Sequence, residues 1–183
     1  TAGGGDAAFV QMATLTGLID VKAGEYHTCA LIKTAGNNEM RCWGDNSFGQ
    51  LGVTYSGAEL NSDNFLGDDA GEMATMRAID FGLDDEMNPL FPIDLALGSN
   101  HTCALLNDRS LRCWGDNSEG QLGRGVAVSH LTDIGTAIDV GTDTILKIKA
   151  GFTKTCVIQL GGIMKCFGDN ISATLGLGVP YGT

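Results

Sequence analysis

One string of residues occurs three times in this chain, and it limits the fold more than any other feature. The fullest copy runs His101-Thr102-Cys103-Ala104-Leu105-Leu106, then a turn, then Leu111-Arg112-Cys113-Trp114-Gly115-Asp116-Asn117-Ser118, and closes on Gln121-Leu122-Gly123. An earlier copy reads His27-Thr28-Cys29-Ala30-Leu31-Ile32, then Met40-Arg41-Cys42-Trp43-Gly44-Asp45-Asn46-Ser47, and Gln50-Leu51-Gly52. A more degenerate copy reads Lys154-Thr155-Cys156-Val157-Ile158-Gln159, then Met164-Lys165-Cys166-Phe167-Gly168-Asp169-Asn170, ending on Leu175-Gly176. A short unit reused in this way cannot bury its own apolar face and stacks on its neighbours instead.

Spacing makes each unit a hairpin. Cys103 to Leu106 and Ser110 to Cys113 are short apolar-rich runs around Asn107-Asp108-Arg109, a composition that suits a three-residue hairpin loop. If Leu106 faces Ser110, counting back along both strands sets Cys103 opposite Cys113. The third copy has the same interval, with Gly161-Gly162 at its turn, so Cys156 faces Cys166. The first copy has three more residues in its turn, within Lys33 to Asn38, and still opposes Cys29 to Cys42. Three disulfides, one per repeat, are therefore expected, and each closure of this length stabilises by about 2–3 kcal/mol. The alternative is six buried thiols acting as small apolar residues. Zinc is disfavoured, because no Cys-x-x-Cys or Cys/His knuckle occurs.

A strand precedes each hairpin: Leu18 to Gly24, Ile93 to Gly98 and Ile145 to Gly151, each ending at a glycine five residues before a cysteine. Two copies add a later related run, Ala78-Ile79-Asp80-Phe81-Gly82 and Ala137-Ile138-Asp139-Val140-Gly141, expected to be a further strand. The reading is all-β, with propeller-type blades of about four antiparallel strands in three repeats, over a single repeat domain, 1–183. Approximate repeats are 18–92, 93–144 and an incomplete 145–183. Twenty-seven glycines among 183 residues fit a chain punctuated by turns.

The pattern His-Thr-Cys-Ala-Leu, Cys-Trp-Gly-Asp-Asn-Ser, Gly-Gln-Leu-Gly closely resembles the repeats named after the regulator of chromosome condensation, in the cysteine-containing form of alpha-tubulin-suppressor-like proteins. The resemblance covers about Leu18 to Gly178 and implies a β-propeller, commonly of seven blades. Three repeats fall short of the four to eight blades that close a ring. The expected state is thus part of a larger propeller, or one completed by a partner or by further blades. Beginning at Thr1, the chain is expected to be a processed form or a fragment.

The formal charge of -11 is concentrated: residues 54–94 hold ten carboxylates against Arg77 alone. This acidic insertion disfavours nucleic acid and favours a cationic partner, and its plain alternative is a solvated loop that aids solubility. Within it, Asp68, Asp69 and Glu72 are the candidate calcium ligands. No apolar run reaches the length of a membrane span.

Other candidates fall on repeat positions. Trp43, Trp114 and Phe167 occupy one equivalent site and are expected to pack between blades. His27 and His101 lie two residues before a cysteine, on the same strand face. A Cys-His nucleophile there is disfavoured, because the pair recurs, Lys154 replaces the third histidine, and a bridged sulfur cannot attack. Asn100 and Asn170 begin glycosylation sequons. Sequons and paired cysteines fit a secreted protein or another oxidising compartment, such as the periplasm or an organelle lumen. With no cofactor fingerprint, the functional expectation is a non-enzymatic protein-binding or scaffolding module, a subunit of a larger assembly. The resemblance adds a second reading, a guanine-nucleotide exchange factor, and the acidic insertion a third, a calcium-dependent extracellular adhesion module.

Overall fold

Eleven strands in three antiparallel sheets make up the computed structural model, which describes residues 16–53, 64–69, 71–125, 129–132 and 134–176. The first sheet is a meander of β1 (Leu18–Ala23), β2 (His27–Lys33), β3 (Asn38–Asp45) and β4 (Phe65–Leu66). The second repeats that order with β5 (Pro92–Leu97), β6 (His101–Leu106), β7 (Leu111–Asp116) and β8 (His130–Leu131). The third has β9 (Ile145–Gly151), β10 (Lys154–Gln159) and β11 (Met164–Gly168). Each sheet is one blade, and the first strand of each lies beside its counterpart in the next blade.

The hairpins have the register that their spacing demands. Cys29 pairs with Cys42, Cys103 with Cys113 and Cys156 with Cys166. All three pairs are disulfides, and no cysteine is free. In the second hairpin the Leu106 amide donates to the Ser110 carbonyl at 3.0 Å, closing a three-residue loop. The last loop residue, Arg109, takes the left-handed conformation with φ 71°, and Asp108 Oδ1 braces the turn by accepting from the Ser110 amide and hydroxyl.

Because side chains alternate along a strand, each blade has two faces. Cys29, Leu31, Met40 and Cys42 face the second blade and pack with its Leu95, Leu97, Ala104, Leu106 and Trp114. Cys103, Leu105, Leu111 and Cys113 repeat the arrangement against Ile148 and Val157 of the third blade. The first two disulfides thus lie on the face turned toward the following blade.

The fourth strand differs from expectation. Ala78 to Gly82 and Ala137 to Gly141 are not strands; the short β4 and β8 take that place, pairing with Gly44–Asp45 and Gly115–Asp116. Both runs instead touch the third strand through one bond, Ile79 N to Met40 O and Ile138 N to Leu111 O. Asp80 and Asp139 then turn the chain away by accepting from the amides of Gly82 and Gly141, a side-chain turn that competes with pairing.

Nor is the acidic insertion wholly a solvated loop. Met76, Ile79, Phe81 and Leu90 are buried in the core between the first two blades, while Asp80, Asp85 and Glu86 stay exposed. Leu83 bridges Pro89, and Pro92 opens β5, a first-strand position that needs no amide donor. Glu59 and Asp63, also part of that segment, lie outside the described residues.

Candidate functional site

The histidines set the geometry of the site. His27 Nε2 lies 2.8 Å from Thr102 Oγ1 of the next blade, and that hydroxyl donates at 2.7 Å to the Gln50 carbonyl back on the first blade. A carbonyl only accepts, so the single threonine proton is committed to it. His27 must then donate through Nε2–H, which fixes its neutral tautomer. The pattern repeats one blade on, with His101 Nε2 2.9 Å from Thr155 Oγ1, which donates at 2.9 Å to the Gln121 carbonyl. Burial pushes His27 down to about 4 and His101 down to about 3, so both rings are uncharged at neutral pH.

The glutamines belong to corners that also carry their own bracing. Gln50 Nε2 donates to Asp45 Oδ2 and Gln121 Nε2 to Asp116 Oδ2, each at 2.9 Å. The glycine ending each corner abuts the following blade's aromatic ring. A Cβ on Gly52 would fall 2.7 Å from Trp114 Nε1, and one on Gly123 would fall 2.7 Å from Phe167. Trp114 is fully buried and donates through Nε1 to the Gln50 carbonyl at 3.0 Å. Trp43 and Phe167 are half-buried against the first and second cores.

This relay lies just beneath three equivalent loops, 24–26, 98–100 and 152–153, which connect the first and second strands of the blades. They touch in sequence. A Cβ on Gly24 would collide with the Gly98 carbonyl oxygen, and one on Gly98 with that of Phe152. The Ser99 amide donates to the Phe152 carbonyl at 2.8 Å. From the other side each loop is held by the Gly-Asp-Asn corner, with Asp45, Asp116 and Asp169 amides donating to the carbonyls of Tyr26, Asn100 and Thr153.

Together the loops form a platform with a depression of about 510 Å³ lined in part by Glu25, Leu97, Ser99 and Phe152. Two aromatic rings stand out from it, Tyr26 at 56% and Phe152 at 66% exposure. Phe152 has φ 49°, a left-handed conformation that disfavours a bulky residue. A hydrogen bond with Glu25 holds the Tyr26 hydroxyl above the usual phenol range. Ser99 Oγ and Asn100 Oδ1 are buried without a hydrogen-bond partner among the described residues. The platform therefore combines exposed aromatic area with loops tied to one another through backbone contacts.

The other candidate residues lie away from this platform or beneath it. Glu72 accepts from the amides of Gly67 and Asp69 at 2.8 and 3.2 Å, and the Gly67 bond is the chief reason its carboxyl sits below the usual range. Among the described residues no three acidic, histidine or cysteine side chains gather into a metal site, so Asp68, Asp69 and Glu72 are not brought into a calcium cage. Asn100 precedes β6, and the Thr102 of its sequon is buried in the relay. Asn170 Oδ1 accepts from the Leu175 amide at 3.0 Å. Sequence reasoning missed the role of Gln50, Gln121, Thr102 and Thr155, although their recurrence beside the histidines was the available signal.

Comparison with known proteins agrees with this geometry. Residues 18–50 and 93–121 match the family described as the regulator of chromosome condensation (RCC1) repeat. The chain is 32% identical to a human protein, the probable E3 ubiquitin-protein ligase HERC6, over 87% of the chain and 14% of that protein. It is 27% identical to the mouse X-linked retinitis pigmentosa GTPase regulator, again over 87% of the chain and 14% of the relative. Among solved structures, yeast RCC1 (Prp20) bound to Kap60 superposes with a TM-score of 0.67 at 18% identity, covering 88% of this chain and 34% of the other. Prp20p from Saccharomyces cerevisiae, described with its binding to Gsp1p and histones, gives 0.65 at 22% identity, over 89% and 35%. The chain spans only about a third or less of each of these four, and the two structural likenesses carry the fold alone.

Proposed function

We propose, for a chain that carries regulator of chromosome condensation repeats, that it is a non-enzymatic protein-binding module whose loop platform receives a protein partner within a larger assembly. The observation that carries this reading is the pairing of Tyr26 and Phe152, two largely exposed rings held on loops that are tied to one another through backbone contacts. Aromatic anchors on a rigid support bind with little loss of conformational entropy, which is where interface energy concentrates. Three disulfides support placing the module in an oxidising compartment, secreted or luminal.

A photo-crosslinking phenylalanine placed at position 26 or 152 tests it, with the far-end loop residue Asp108 as control position. Adducts with a protein at the two platform positions and none at the control are expected. Equal labelling at all three positions would remove the platform from consideration.

A second reading, a guanine-nucleotide exchange factor, is favoured by two of the similar proteins: the mouse relative is a GTPase regulator, and Prp20p is described with its binding to Gsp1p. It calls for a reducing compartment. Intact mass under non-reducing conditions separates the two, since three bridges lower the mass by six hydrogens.

A further inference from the structure

The connectors that leave the first and second blades begin and end alike. Asp80 and Asp139 each accept from the amide two residues on, at 2.8 Å. The chain rejoins the next blade where the Asn107 amide donates to the Phe91 carbonyl and, one blade on, the Leu160 amide to the Thr144 carbonyl. Between those fixed points the second connector needs only Thr142 and Asp143, whereas the first runs through residues 83–90 and is six residues longer. Closure of a blade does not require the excess, because the shorter connector achieves it.

The excess folds on itself. The Leu90 and Asp84 amides donate to the Gly82 and Asn88 carbonyls, each at 2.9 Å, and Asp84 Oδ1 accepts from the amides of Glu86 and Asn88 at 2.9 and 2.8 Å. The second blade holds one flank, with Asn107 Nδ2 donating to the Pro89 carbonyl at 3.3 Å. This self-braced hairpin turns apolar side chains outward, Leu83 at 49% and Met87 at 72% exposure. Met87 does so at φ 64°, where asparagine or glycine is at ease. A solvated linker gains nothing from either residue.

On the first-blade side of the hairpin, away from the loop of Asn107 to Arg109, a groove of about 450 Å³ runs along the turn between β2 and β3. Thr34, Asn37 and Asn38 form one wall, and Asp80, Leu83 and Pro89 the other. Blades stack through their sheet faces, and the two sheets that flank this groove are already stacked on each other. A blade before the first or after the third would stack on the outer faces of those two and leave the groove open.

The charge around the groove selects its occupant. Asp80, Asp85 and Glu86 are exposed, Asp84 is turned inward on its own loop, and Arg77 is the sole basic residue between Thr54 and Asp94. An acidic segment laid here adds repulsion, and a wholly apolar one strips water from the carboxylates and returns no partner. A cationic segment pairs with them, is steered to them from a distance, and with apolar residues between its charges also covers Leu83 and Met87. We propose that the groove and the hairpin tip dock a short segment of a partner protein in which lysine or arginine alternates with apolar residues. The surface lies at the opposite end of the blades from the loop platform and stands or falls independently of it.

The test is fluorescence anisotropy with a labelled peptide alternating lysine and leucine, against lysine-serine and glutamate-leucine peptides of the same length. The lysine-leucine peptide is expected to bind most tightly and to weaken by about tenfold or more in the double variant Asp85→Lys, Glu86→Lys. It should be unchanged in Glu119→Lys, Asp143→Lys, which makes the same change of charge at exposed residues elsewhere. Met87→Gly should weaken binding by about fivefold while Tm holds or rises, because glycine suits the left-handed backbone there. Near-ultraviolet circular dichroism checks that the variants keep their packing. Failure of the lysine-leucine peptide to bind, an equal loss in the control double variant, undiminished affinity in folded Met87→Gly, or an equal affinity for the lysine-serine peptide would each overturn the proposal.

Discussion

Gly98 and Gly151 hold the same place in successive blades, and they offer a controlled measurement of what the histidine relay contributes. Neither has a left-handed φ, so backbone strain does not separate them. A methyl group added at Gly98 would overlap Cε1 and Nδ1 of the His101 ring and lie 2.5 Å from the Phe152 carbonyl oxygen. One added at Gly151, where Lys154 replaces the histidine, meets nothing within 4 Å. Gly98→Ala must therefore push the His101 ring off Thr155 or part the loops. Overpacking costs about 1–3 kcal/mol, and a buried hydrogen bond left unmade costs about 1–3 kcal/mol, so a loss of about 3 kcal/mol is expected. At this chain length that lowers Tm by roughly 6–12 °C. Gly151→Ala should stay within about 1 kcal/mol of the parent, because reduced freedom of the unfolded chain is its main effect. Urea unfolding of both variants reads the difference, and the His101 Nε2–H proton signal reports whether the ring has moved. Equal stabilities, or an unmoved ring proton in Gly98→Ala, would refute the steric account of the relay.

The buried histidines make stability depend on pH. Their folded values of about 4 and about 3 lie below the ordinary 6.5. Between pH 6.5 and 4 the unfolded chain therefore binds protons that the folded chain refuses. Stability is full above pH 6.5 and falls on acidification by up to about 1.4 kcal/mol per pH unit for each ring; His101→Gln, which keeps a donor for Thr155, should roughly halve the slope. An unchanged slope would sink the assignment. The disulfides should differ in accessibility, since Cys29–Cys42 and Cys103–Cys113 are at most 1% exposed while Cys156 and Cys166 are half-buried. Partial reduction and alkylation, read by peptide mass, should mark Cys156 and Cys166 first, and random labelling would contradict the packing described.

Register was legible from the sequence because it rests on counting. The interval from Cys103 to Cys113 and the turn residues between them admit one antiparallel alignment in which the sulfurs meet, and the same arithmetic carried over to the other copies. The outer strand was not legible, because Ala78 to Gly82 has a strand's composition while its fate is decided by Asp80 folding back on the Gly82 amide. The acidic segment misled for a related reason. Its charge dominates any window average, yet Met76, Ile79, Phe81 and Leu90, spaced irregularly, are what the core takes from it. The platform was least visible, since it is built by loops from three blades whose contacts depend on how the sheets stack.

The relay is directional, and that explains why the third copy is the degenerate one. Each internal interface takes a histidine, a glutamine carbonyl and a glycine corner from one blade, and a threonine and an aromatic ring from the next. The third blade keeps the receiving half, Thr155 and Phe167, both engaged with the second blade. Its giving half has changed in part: lysine stands for histidine at Lys154, Thr174 for glutamine, and Ala173, at φ 57°, where Gly49 and Gly120 sit at 78° and 77°, while Gly176 keeps the corner glycine at φ 69°. An alanine held in that conformation costs about 1–2 kcal/mol relative to the ordinary helical region. The receiving half is kept where it closes an interface of this kind, and the departures fall on the giving half, with Lys154 at the place of the histidine and Thr174 at that of the glutamine.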